Sequence, residues 1–225
     1  MKKIVALLFF VFAACKIIYP QQINAVFHYA AFSVPDQKPY LETYIAVFGK
    51  SVHYAKIADG KLCARVEVTM TFADGDSIVA FKKYVLENSI ADDTVSLPVN
   101  FVDVQRIAVD HGIYNFGLIL KDLNCADTSR LSHSEIIAID FSDTVPVFSG
   151  IEPVESMRPA EMDGSLVKSG MEIIPYVSSF YPRNMDKISF YSELYGIDKA
   201  VGAGNDFLLV YFLEENITRV RLTEF

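Results

Sequence analysis

The stretch Leu62-Cys63-Ala64-Arg65-Val66-Glu67-Val68-Thr69-Met70-Thr71-Phe72 decides the fold. Val66, Val68, Met70 and Phe72 alternate with Arg65, Glu67, Thr69 and Thr71, a strict period of two. Successive side chains of a strand point to opposite faces, so this segment reads as a strand with one face in a core and one in water. Just upstream, Asp59-Gly60 supplies the positive φ angles of a tight hairpin returning to Ser51–Ile57. Just downstream, Asp74-Gly75-Asp76 turns the chain into a further strand, Ser77–Leu86.

The same signals extend in both directions. Ile23–Phe32 and Tyr40–Val47 are apolar without helical spacing and are separated by Pro35 and Pro39. After a polar link at 91–96, Val99–Val109 and Ile113–Leu120 are joined by Asp110-His111-Gly112, with Tyr114, Phe116, Leu118 and Leu120 sharing one parity, and Ile136–Phe141 follows. About eight strands at this spacing predict a sandwich. Residues 142–163 contain Pro146, Pro153 and Pro159 with few apolar runs and read as a link, with a domain boundary near its start. Beyond it, Met171–Phe180, Lys187–Tyr195, Phe207–Leu213 and Ile217–Leu222 read as four further strands. The expectation is an all-β protein: a leader over 1–20, an immunoglobulin-like β-sandwich over 21–143, and a second sandwich-like domain over 144–225 that is incomplete or completed by a partner. No helix is expected outside the leader.

Composition bounds the class. The 225 residues are 52% hydrophobic and 13% aromatic, with 12 Tyr, 17 Phe and no Trp, enough apolar material for a real core. Met1-Lys2-Lys3 precedes the apolar run Ile4–Ala14, the layout of a secretory signal and shorter than the roughly 20 apolar residues of a spanning helix. Cys15 ends that run and is a candidate lipidation site, with Phe12 standing where such signals usually carry Leu. Export to the periplasm, outer membrane or cell surface is expected, with a lipid anchor if Cys15 is processed. Loss of Lys2 and Lys3 takes the formal charge from −8 to −10, which opposes nucleic acid as a partner. Cys63 and Cys125 remain, either as a disulfide formed in an oxidising compartment or as two separate thiols.

No catalytic, cofactor-binding or metal-ligating set is expected. His28, His53, His111 and His133 are scattered, and His111 reads as turn chemistry. Asp74, Asp76, Asp92 and Asp93 fall short of the six to eight oxygens that calcium takes. Glu152 and Glu155 form a candidate acid/base pair by proximity, but read better as solvated loop charges. Gly202-Ala203-Gly204 lacks the third glycine and following helix of a dinucleotide loop, and neither a Gly-x-Ser-x-Gly elbow nor a phosphate loop is present. The aromatic set Tyr176, Phe180, Tyr181, Phe190, Tyr191 and Tyr195 stands out, because Phe190 and Tyr191 must face opposite ways on one strand. Tyr176, Tyr181, Tyr191 and Tyr195 are the candidate partner-binding aromatics.

The run Phe32-Ser33-Val34-Pro35-Asp36-Gln37-Lys38-Pro39-Tyr40-Leu41-Glu42-Thr43-Tyr44 resembles the N-terminal region of the GWxTD-domain proteins of Bacteroidetes, as do Gly75-Asp76-Ser77-Ile78 and Pro175-Tyr176-Val177-Ser178-Ser179-Phe180-Tyr181-Pro182. The Gly-Trp-x-Thr-Asp motif itself is absent. The resemblance implies an envelope location and, at Asp76-Ser77-Ile78, Asp93-Thr94-Val95 and Asp143-Thr144-Val145, O-glycosylation of Ser77, Thr94 and Thr144. The functional expectation is a non-enzymatic interaction or scaffold module that binds an envelope protein or a missing C-terminal domain; the alternative is a carbohydrate-binding module.

Overall fold

The computed structural model describes residues 22–58, 60–90, 100–126, 129–141, 146–178 and 180–222. Cys15, Asp59, Thr94 and Thr144 lie outside these residues. The described chain is mostly antiparallel β-structure. One sheet has the order β1 (Ala25–Phe32), β2 (Tyr40–Val47), β6 (Phe101–Ala108). The facing sheet is built on β4 (Leu62–Asp74). β5 (Ser77–Ile90) lines one edge of β4, while β3 (Tyr54–Lys56) and β7 (Gly112–Asp122) share the other, and β8 (Arg130–Ile139) adds to β7.

The period of two in β4 becomes the core. Val66, Val68, Met70 and Phe72 are fully buried, and they meet Tyr114, Phe116, Leu118 and Leu120 of β7 and Leu41, Ile45 and Val47 of β2. Phe27 of β1 stacks on Phe116 with centroids 5.2 Å apart, and Thr43 of β2 donates to Met70 Sδ at 3.7 Å, so two sheets face one another across a dry interior. Gly75, at φ +55°, makes the β4–β5 turn that the sequence indicates.

Residues 146–163 are not simply a link. They hold β9 (Val147–Phe148) and β10 (Glu152–Pro159), and β10 is the centre of a third sheet with β11 (Val167–Lys168), β12 (Met171–Pro175) and β13 (Ser189–Tyr191). β10 tolerates its prolines because they fall near its start and at its end, with a register irregularity between Val154 and Ser156. β14 (Leu194–Tyr195) pairs with β9, and a five-residue helix, α1 (Ile197–Val201), follows where no helix is expected. Phe207–Leu213 joins no sheet among the described residues; it meets Ile217–Leu222 only at its end, through the Glu214–Arg221 bridge, with Leu222 N donating to Leu213 O at 2.7 Å and Glu215 N to Val220 O at 2.9 Å. Their apolar sequences favour strands, but a strand exists only where a neighbour takes its hydrogen bonds. Among the described residues no helix is long and apolar enough to cross a membrane.

The later strands seat on the outer face of the first sheet. Gly150 N donates to Ala31 O at 2.8 Å, His28 Nε2 bonds Ile151 O at 3.0 Å, and Ser33 N donates to the Tyr195 hydroxyl at 3.1 Å. A Cβ on Gly150 would stand 2.7 Å from Ala31 N and 2.8 Å from Ala30 Cα, so only glycine permits this approach. Gly150→Ala is expected to cost about 1–3 kcal/mol in chemical unfolding, as overpacking against backbone does. Gly164→Ala, whose Cβ meets nothing nearer than Val167 at 3.9 Å, is the control and should be close to neutral.

Candidate functional site: a buried charge cluster and an exposed apolar arm

β2 is covered on both faces, which leaves its outward parity, Glu42, Tyr44 and Ala46, buried beneath the later strands. Glu42 stands in register with Ala30 on β1 and Arg106 on β6. Opposite it, Lys168 ends β11, and the turn Ser169-Gly170, with both residues at positive φ, fixes the hairpin that delivers its side chain. Glu152 comes from the start of β10, in register with Tyr191 of β13. Glu42 and Glu152 are each 1% exposed and Lys168 is 6% exposed.

Lys168 Nζ contacts Glu42 Oε1 and Glu152 Oε2 in two short ion pairs and lies 3.4 Å from the Tyr44 hydroxyl. Tyr44 donates to Glu42 Oε1 at 2.7 Å, and Arg106 Nε donates to Glu42 Oε2 at 2.5 Å. The guanidinium also reaches Val167 O at 3.3 Å, tying β6 to β11. Rings wall the ammonium: the centroids of Phe32, Tyr191 and Tyr44 lie 4.6, 5.6 and 5.7 Å from Nζ. Burial is the main cause holding the Glu152 carboxyl above its ordinary range, against the Lys168 hydrogen bond and charge that act to lower it. Burial, then the neighbouring Glu42, raises the Tyr44 phenol well above its usual value and keeps it a donor.

Glu152 is not the solvated loop charge that its sequence context suggests; it is a buried strand residue, while Glu155 faces solvent, and the two do not converge. Glu42 and Lys168 escape a reading for catalytic motifs. The signals they leave are a lone carboxylate in the otherwise apolar Tyr40–Val47 and a Ser-Gly hairpin dipeptide after Lys168.

The four aromatics divide. Tyr191 donates to Glu193 Oε1 at 2.6 Å, its pKa pushed up to about 12 by burial and then by that carboxylate. Tyr195 also donates to Glu193, and its ring meets Phe141 edge-on at 5.5 Å. Tyr176 and Tyr181 stack on each other at 4.8 Å, with Tyr181 partly exposed. Phe190 is exposed while Tyr191 turns inward, as opposite strand faces require. Ser77 is exposed at the first residue of β5. Cys63 and Cys125 are free thiols, the first buried and the second half-buried.

A second feature lies beside β13. Phe207-Leu208-Leu209-Val210-Tyr211-Phe212-Leu213 is exposed along its whole length, Leu208 at 86%. With Phe148, Ile151, Ile188 and Phe190, its residues Leu209–Leu213 border an apolar groove of about 590 Å3. Among the described residues no three His, Cys, Asp or Glu side chains converge as a metal site would need.

No protein-family model matches the chain, and neither the curated proteins nor the solved structures contain a match.

Lys168→Met leaves the buried Glu152 without its cation and Glu42 with Arg106 alone, and should cost about 3–5 kcal/mol in denaturant unfolding. Glu152 gives a pH test. Its raised value means that the folded chain keeps a proton that the unfolded chain has released, so stability falls as pH climbs from the ordinary value of 4.5 through the raised one. The unfolding free energy of wild type minus that of Glu152→Gln should therefore decline over that window; parallel curves contradict it.

Proposed function

We propose that the protein is a non-enzymatic interaction module of a bacterial envelope that binds a protein partner through the apolar arm at Phe207–Leu213 and the groove beside it. The observation that carries this reading is the arm itself: seven consecutive apolar residues, all exposed, on a chain that is otherwise acidic. Exposed apolar surface that is contiguous rather than scattered marks a contact with another macromolecule. Burying it against a partner would remove that surface from water at roughly 25 cal/mol per Å2. The leader-like Met1–Ala14 and the resemblance to GWxTD-domain proteins support the envelope location.

Carbohydrate binding is the second reading, favoured by the partly exposed Tyr176–Tyr181 stack. Glycan-array binding lost in Tyr181→Ala would place it first.

The test is affinity capture from envelope extracts with the full chain, followed by binding of the recovered protein in purified form. Leu208→Asp with Val210→Asp should weaken that binding at least tenfold and leave the melting temperature unchanged, because both side chains are already solvated. Equal affinity of the double variant and wild type defeats the assignment.

A further inference from the structure

We propose that Lys168 Nζ and Glu42 Cδ condense to an amide, an internal cross-link that covalently staples β11 to β2, with Glu152 carrying the proton. This goes beyond the proposed binding function and does not depend on it.

The geometry provides each component of the reaction. An ammonium and a carboxylate in contact differ from an amide by one water. The Nζ–Cδ bond forms, one Cδ–oxygen bond of Glu42 breaks, and the departing water takes that oxygen together with two of the three ammonium protons. The third proton stays on the amide nitrogen. No oxidant, reductant or activated co-reactant enters. Nζ already touches a Glu42 oxygen, and β2 and β11 hold the two side chains so that no loop need close during attack. When Nζ bonds to Cδ, negative charge gathers on the carboxyl oxygens of Glu42. Tyr44 donates to one of these oxygens and Arg106 to the other, two fixed donors aimed where that charge develops.

Proton traffic falls to Glu152, whose Oε2 contacts the same Nζ. The Glu152 carboxylate can take a proton from the ammonium, freeing the nitrogen lone pair for attack, and pass it on to the departing Glu42 oxygen, so that it ends as it began. These roles also distinguish the two carboxyls. Glu42 has the extra donors that make an acyl centre reactive, whereas Glu152 touches the attacking nitrogen and is placed to relay its proton.

The equilibrium favours the amide here for a reason absent in water. Both charges are already buried, and the aromatic wall of Phe32, Tyr44 and Tyr191 excludes the solvent that would stabilise them. Replacing a buried ion pair with a neutral, hydrogen-bonding amide removes the desolvation burden, and the water is released. The product would link residues 126 positions apart in sequence.

The test is the intact mass of the denatured full chain after its N-terminus has been fixed by sequencing, together with tandem mass spectrometry of its proteolytic peptides. Wild type should be lighter than its composition by one water, with a branched peptide joining Glu42 to Lys168. Lys168→Arg and Glu42→Ala should show the full mass of their composition. Glu152→Gln retains both partners and should form the link at least tenfold more slowly on refolding. Wild type at its full compositional mass overturns the proposal, without reliance on any variant folding. A water loss mapped to an Asp-Gly imide, or a branch at Glu152 instead of Glu42, overturns it equally.

Discussion

Burial of β2 on both faces is the constraint on which the rest of the molecule depends. Its inward parity, Leu41, Thr43, Ile45 and Val47, completes the sandwich core against β4 and β7. Its outward parity lies beneath β10 and β11, and there the strand carries Glu42. A carboxylate in that position can persist only if its oxygens are fully engaged, which Lys168, Tyr44 and Arg106 accomplish. The residues from 146 onward are therefore placed against the first sheet by a polar fit as well as by apolar contact.

Such a cluster sets orientation more than it adds stability. Desolvating a lysine and two carboxyls offsets much of what their attraction returns, and a well-packed apolar substitute could match it. What an apolar patch cannot provide is a unique seating. Lys168 must lie between Glu42 and Glu152 with its stem among three rings, and a slip of β11 by one residue would turn it to the other face. Gly150 adds to this specificity, since the backbones of 150 and 30–31 approach more closely than any side chain permits.

The far side of the β10 sheet is built differently. The Lys168 cluster closes one face with satisfied polar groups, while beyond β13 the chain presents exposed apolar groups along Phe207–Leu213. These two surfaces have opposite chemistry. Tyr191 and Tyr195 belong to the polar side, both bound to Glu193, whereas Phe190 belongs to the exposed side.

The sequence alone determined the class of fold and its main core. The alternation in 62–72 and the parity of Tyr114 to Leu120 are local properties of a strand, so they survive without knowledge of any partner strand. It also placed the Gly75 turn and the opposed faces of Phe190 and Tyr191. Only the tertiary structure decided that Glu152 is buried, that Glu42 and Lys168 meet across 126 positions, and that Phe207–Leu213, strand-like in composition, joins no sheet among the described residues. Each of these depends on which surface lies opposite, and a period of two reports only that a strand has two faces, never what covers the second.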